Sequence, residues 1–239
     1  MPDGNPVGAA NGSSSYLPIT QIVRPPFDPV EQTLQDWYEM VQKEASRLAI
    51  LLCRGREQMI EPFTYALREV IRNVFEHAGV SECYFCGQSW YNGVVEICIV
   101  DEGAGITSTL RESHEIESDG AALELAVMPG VSRVNRKSES FNFYDNSGFG
   151  LYVLSEVGAQ YGMFALGSGT AVYTGVPEIR RVDPFDFCGT FFGLIINRPM
   201  DRFAEDLSRI IAAGNKAALE QGINVEASSV SRSTKITTV

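Results

Sequence analysis

The sequence predicts an α/β protein, and three observations carry that prediction. Segments 31–53 and 61–79 repeat apolar residues at three- and four-residue steps, which places those residues along one side of a helix. Short β-branched and aromatic runs follow, among them Val94-Val-Glu-Ile-Cys-Ile-Val100, bounded by Gly, Asn and Pro. A third helical pattern, opening at Leu151 and stopping at Gly162, lies between these runs. With 239 residues, 44% of them hydrophobic and 21% charged, the chain can bury a substantial core.

The elements follow in order. Residues 1–27 read as an extended or disordered segment; Gly, Asn, Ser and Pro dominate up to Tyr16, and Leu17–Val23 can form a short strand. Pro25, Pro26 and Pro29 interrupt regular structure, and Asp28 can cap the helix that follows. In segment 31–53, Leu34, Trp37, Tyr38, Val41, Ala45, Leu48 and Leu52 share a face. Segment 61–79 is a second helix with Gly79 as its stop. Cys83–Gln88 and Val94–Asp101 form a hairpin around Tyr91-Asn92-Gly93. Residues 107–146 make a long connection with one helical piece, Gly120–Val127; a connection of this length in a compact domain is usually a functional lid. Met163–Gly167, Thr170–Thr174 and Gly189–Asn197 read as strands, with a loop over Gly175–Asp186. A helix over 201–221 and a Ser/Thr-rich tail over 223–239 complete the chain.

Charge and composition narrow the function. The net charge of −11 repels phosphate backbones, so nucleic acid is not an expected partner. No apolar run has the length of a membrane span, and no basic-then-apolar leader opens the chain, so the expected location is cytoplasmic. Five cysteines, mostly in apolar runs, suit buried thiols in a reducing compartment. Cys83 and Cys86 lie three apart on a strand, pointing to opposite faces, which argues against a shared metal.

Three short patterns can carry chemistry. Glu69, Asn73 and His77 step by four and fall within an arc of roughly 80° on one helix face. Asp101, at a strand end, is followed by Gly103, Gly105 and Ile106; a carboxylate there can accept a hydrogen bond from an amine, and glycines admit close backbone approach. Ser147, Gly148, Phe149, Gly150 and Leu151 form a glycine-rich turn opening a helix, where free N–H groups and the helix dipole favour an anion. Each pattern alone also suits a plain solvated face or turn.

Taken in order, the patterns resemble those of the GHKL superfamily, the ATP-binding proteins with the Bergerat fold, which include gyrase-type topoisomerases, heat-shock chaperones, sensor kinases and anti-sigma-factor kinases. Glu69 and Asn73 match the first box, Asp101, Gly103, Gly105 and Ile106 the second, Gly148, Gly150 and Leu151 the third, and Gly189-Thr190 the fourth. The resemblance covers roughly Arg56–Arg198. It implies a domain over 28–199, built as a two-layer sandwich with a mixed sheet, helices on one face and an ATP lid over 107–146.

The resemblance also implies cofactors and roles. Asn73 would hold Mg²⁺ between phosphates, Asp101 would bind the adenine amine with Thr190 assisting, and the amides of 147–151 would hold phosphate. Glu69 would activate water, as in members that hydrolyse ATP. His77 would orient its neighbours or pack. Ser132, Arg133 and Lys137 are lid candidates for the terminal phosphate. Segment 31–53 has no histidine to accept phosphate, and after Arg198 only one helix and a tail follow. The expectation is therefore a stand-alone module: a slow ATPase whose lid state controls a protein partner. A serine/threonine kinase like the anti-sigma group and a nucleotide-gated module without turnover are the alternatives. A homodimer is possible, and the helix over 201–221 is left to pack on the domain or to serve a partner.

Overall fold

Val95, Ile97, Ile99 and Asp101 are buried, while Glu96, Cys98 and Val100 between them are half-buried. That alternation gives the strand one inward face, and the same period runs through its neighbours. The structure is a computed structural model and describes residues 4–24, 33–131 and 148–221. Six strands, β1 (Asn5–Pro6), β2 (Tyr16–Val23), β3 (Glu82–Ser89), β4 (Val95–Asp101), β5 (Gly162–Val176) and β6 (Ile179–Ile196), form one sheet in the order β1-β2-β3-β4-β6-β5. Six helices accompany them among the described residues: α1 (Thr33–Cys53), α2 (Ile60–His77), α3 (Gly105–Leu110), α4 (Asp119–Ala126), α5 (Gly150–Tyr161) and α6 (Phe203–Glu220). The fold is a two-layer α/β sandwich, with Leu48, Leu67, Ile71 and Leu154 of the helices in one core with Phe85, Ile99, Phe164 and Leu194 of the sheet.

The sheet is antiparallel throughout, not mixed as expected. Two hairpins explain this. β3–β4 and β5–β6 each need only a short turn, and β6 rather than β5 pairs with β4. In the first hairpin, Gly93 takes φ 95° and donates to the Trp90 carbonyl. The loop expected over 175–186 is instead part of the second hairpin. Val176 pairs with Ile179 across Pro177-Glu178, so β6 starts nine residues before Cys188. Proline fixes φ at the first turn position, and Glu178 takes φ 67° at the second, the signs of a type II turn. The two prolines and the charges had signalled a loop, but they lie at the turn and along an exposed ribbon.

Elsewhere the periodicity translates directly. α2 ends at His77, and Gly79 takes the left-handed φ of 71° expected of a stop. α6 packs on the domain: Phe203 stacks on Phe63 with centroids 4.9 Å apart, and Leu207 and Ile210 are buried. Residues 4–15, read from composition as unstructured, are held at the sheet edge. Asn5 and Pro6 pair with Gln21 and Thr20, and the Gly4 amide donates to the buried Glu44 at 3.3 Å. No helix among the described residues is long and apolar enough to cross a membrane.

Candidate functional site

A cavity of about 120 Å³ opens between α2, the end of β4, the interior of β6, the α3–α4 segment and the turn before α5. Val74, Ile99, Leu166 and Phe192 give it apolar walls. Asn73, His77, Asp101 and Thr190 bring polar groups to it. The four sequence patterns therefore converge on one place: Gly105, Ile106, Gly148 and Leu151 also line it. The volume is below the roughly 300 Å³ at which pockets take whole drug-sized ligands, and suits a flat ring.

Asp101 ends β4 with 2% of its surface exposed. Its register partner across the ladder is Thr190, whose own partner on the other side is Ser168. Three polar side chains thus cross the sheet in a row. Asp101 Oδ1 accepts from the Gly103 amide at 2.8 Å. Burial pushes the carboxyl above its ordinary pKa, while hydrogen bonds from the Gly103 amide and from the Thr190 amide and hydroxyl oppose that shift. Ser168 Oγ donates to the Gly189 carbonyl at 2.7 Å and accepts from the Ile106 amide at 3.0 Å, tying β5, β6 and the turn after β4 together. Ser168 was not among the expected site residues; it lies between Met163–Gly167 and Thr170–Thr174, read as two strands, which the structure joins into β5 with a bulge there.

The glycines act differently from one another. A Cβ on Gly103 would lie 2.4 Å from both the Cβ and the carbonyl oxygen of Ala78. Its smallness lets the turn after Asp101 dock on the end of α2, where the Ala104 amide donates to the Ala78 carbonyl at 2.8 Å. That is a packing role, and Gly103 is not among the residues that line the cavity. Gly105, with φ 78°, does line the cavity.

Glu69 stands apart from the cavity lining. It is 2% exposed, and its Oε2 accepts from the Gly150 amide at 2.6 Å, at the first residue of α5. A Cβ on Gly150 would lie 2.6 Å from the Glu69 Cβ, so α2 and α5 touch here. A carboxylate at a helix N-terminus satisfies an orphan amide and the positive end of the dipole. In this arrangement the Gly150 amide, expected to hold phosphate, is already occupied. Phe149 buries its ring against Tyr152 and Gly214 and leaves its backbone at the turn. Ser132, Arg133, Lys137 and Ser147 lie outside the described residues.

The described residues offer a place for a flat base that carries an amine. A buried carboxylate at the floor of an apolar slot can read one amine on a flat base. Among the described residues no group of three or more His, Cys, Asp or Glu could hold a metal. A cation beside Asn73 would draw its other ligands from phosphate and water, which is the habit of Mg²⁺. No model of a known protein family matches this sequence, and no curated protein does.

Proposed function

We propose that the chain is a GHKL-type protein that binds Mg-ATP in this pocket, and that it is a slow ATPase whose pocket state controls a protein partner. The reading rests on one observation above all: the buried Asp101 carboxylate, aligned with Thr190 and walled by Ile99, Leu166 and Phe192. Asp101 would accept the amine hydrogen of the base, and the apolar walls would exclude water from its two faces. Asn73 would hold the cation, and the amides near Gly148 would meet phosphate. Bound Mg-ATP would supply a phosphoryl group activated by the cation. Equilibrium dialysis with Mg-ATP tests the reading: binding by the wild type, weakened about tenfold or more in Asp101→Asn, is expected. No binding by the wild type would sink it.

The Glu69–Gly150 bond favours a second reading. A carboxylate spent on holding α5 is not placed to activate water, so the chain would bind nucleotide and gate a partner without turnover. Phosphate release by wild type and Glu69→Gln separates the two readings. Release that vanishes in Glu69→Gln supports hydrolysis, and no release from either supports the gated module. A kinase of the anti-sigma type would instead need its protein substrate before any transfer appears.

A further inference from the structure

Five of the pocket-lining residues, Gly105, Ile106, Thr109, Leu110 and Ala126, come from one segment, α3 and α4 with their connection. Gly105 and Gly130 bracket it, and both take φ 78°, a conformation open to glycine and strained for other residues. The segment thus turns at a glycine at each end. What holds its middle is Asp119, the first residue of α4. Asp119 Oδ1 accepts from the Thr107 hydroxyl at 2.6 Å, inside the segment. Asp119 Oδ2 accepts from both the amide and the hydroxyl of Thr170, each at 2.8 Å, on β5.

The Thr170 contact is built for this purpose. β5 bulges between Ser168 and Ala171, and a Cβ on Gly169 would lie 2.4 Å from Asp119 Oδ2. The bulge and the missing side chain turn the Thr170 amide out of the ladder and toward the carboxylate. The β5–β6 ribbon also meets the segment at Val182, whose Cγ1 would be 2.8 Å from a Cβ on Gly120. Hydrogen bonds to a charged acceptor are stronger than neutral ones. Leu123 and Ala122 are buried on the same side and set where the segment packs.

We propose that residues 105–130 are a latched flap over the pocket, that Asp119 is its latch, and that release of Asp119 from Thr170 opens the pocket. This rests on the reading that the pocket takes an adenine nucleotide, and it assigns the regulation of that site to the β5–β6 ribbon. Anything that shifts the ribbon at Gly169–Thr170 would change access to the pocket without touching it.

Hydrogen–deuterium exchange on the full chain, wild type against Asp119→Asn, tests the latch directly. One oxygen and an amide cannot accept all three hydrogen bonds. Exchange over 105–130 should rise about tenfold, with β3 and β4 unchanged. Thr170→Val keeps the amide and removes the hydroxyl, and should give a smaller rise in the same segment; it replaces Asp119→Asn if that variant loosens everywhere. No rise over 105–130 in a variant that keeps β3 and β4 protected would overturn the proposal. Stopped-flow mixing with Mg-ATP adds the functional readout: Asp119→Asn should speed association several-fold, whereas mere loosening would weaken binding without speeding it. If Mg-ATP does not bind the wild type, the nucleotide reading falls, and the exchange comparison still decides the latch.

Discussion

Glu69 Oε2 and the Gly150 amide are 2.6 Å apart, joining the middle of α2 to the first residue of α5. Both partners are buried. Removing the carboxylate leaves a buried amide without its acceptor. Glu69→Ala should lower stability by about 2–3 kcal/mol, and Glu69→Gln, which keeps an oxygen acceptor, by about 1 kcal/mol. Urea denaturation of the two variants checks this. Lost activity in Glu69→Ala would therefore mix folding with chemistry, and Glu69→Gln is the informative variant.

Asp101→Asn should separate stability from binding. Burial raises the Asp101 pKa in the folded chain, so ionisation there opposes folding. A raised folded pKa means stability present below the unfolded pKa and lost as pH rises through the folded one. At neutral pH the amide carries no such cost, but its single oxygen cannot accept from the Gly103 amide and from both the amide and hydroxyl of Thr190. The two effects oppose each other, so its stability should stay within about 1 kcal/mol of the wild type while nucleotide binding weakens about tenfold or more. A large loss of stability would show that the charge itself holds the turn.

The opposite sign applies to Asp119. Hydrogen bonds from Thr107 and then from the Thr170 amide and hydroxyl hold its carboxyl below the ordinary value, with Arg111 adding a smaller pull. Its stabilisation is present above the unfolded carboxylate pKa of about 3.9 and lost as pH falls through the lower folded value. Protection of residues 105–130 against exchange should therefore fall below about pH 4, and Asp119→Asn should flatten that dependence. The group is partly exposed, so the effect should shrink in high salt.

Gly189→Ala tests the β4–β6 junction. Gly189 takes φ 115°, and a Cβ there would lie 2.1 Å from the Asp101 carbonyl oxygen. The substitution should cost about 2 kcal/mol or more and displace Thr190 from Asp101. Denaturation midpoints and nucleotide binding should fall together. A stable variant that still binds would show that the Asp101–Thr190 alignment is dispensable.

What the sequence disclosed follows from the range of each interaction. The face carrying Asn73 and His77 and the stop at Gly79 were legible because helical periodicity and capping are local. So was the alternation of β4 ending at Asp101. The Asp119–Thr170 latch spans 51 residues and has no local signature; Asp119 reads as an ordinary residue at a helix start. Glu69 was legible as a polar position on the α2 face, but its partner Gly150 lies 81 residues away, and only the packing of α5 on α2 brings the two together. The β5–β6 ribbon was misread because an exposed two-stranded ribbon does not bury an alternating face, which leaves prolines and charges to dominate its composition.

The pocket beneath α2 and the α3–α4 flap is proposed as the nucleotide site. Backbone amide chemical shifts recorded as Mg-ATP is added test it most directly. The account predicts shifts at Asn73, His77, Gly103, Gly105, Gly148 and Thr190, with β1 and β2 unmoved. Saturable binding that moves β1, β2 or α6 and leaves those amides in place would contradict it.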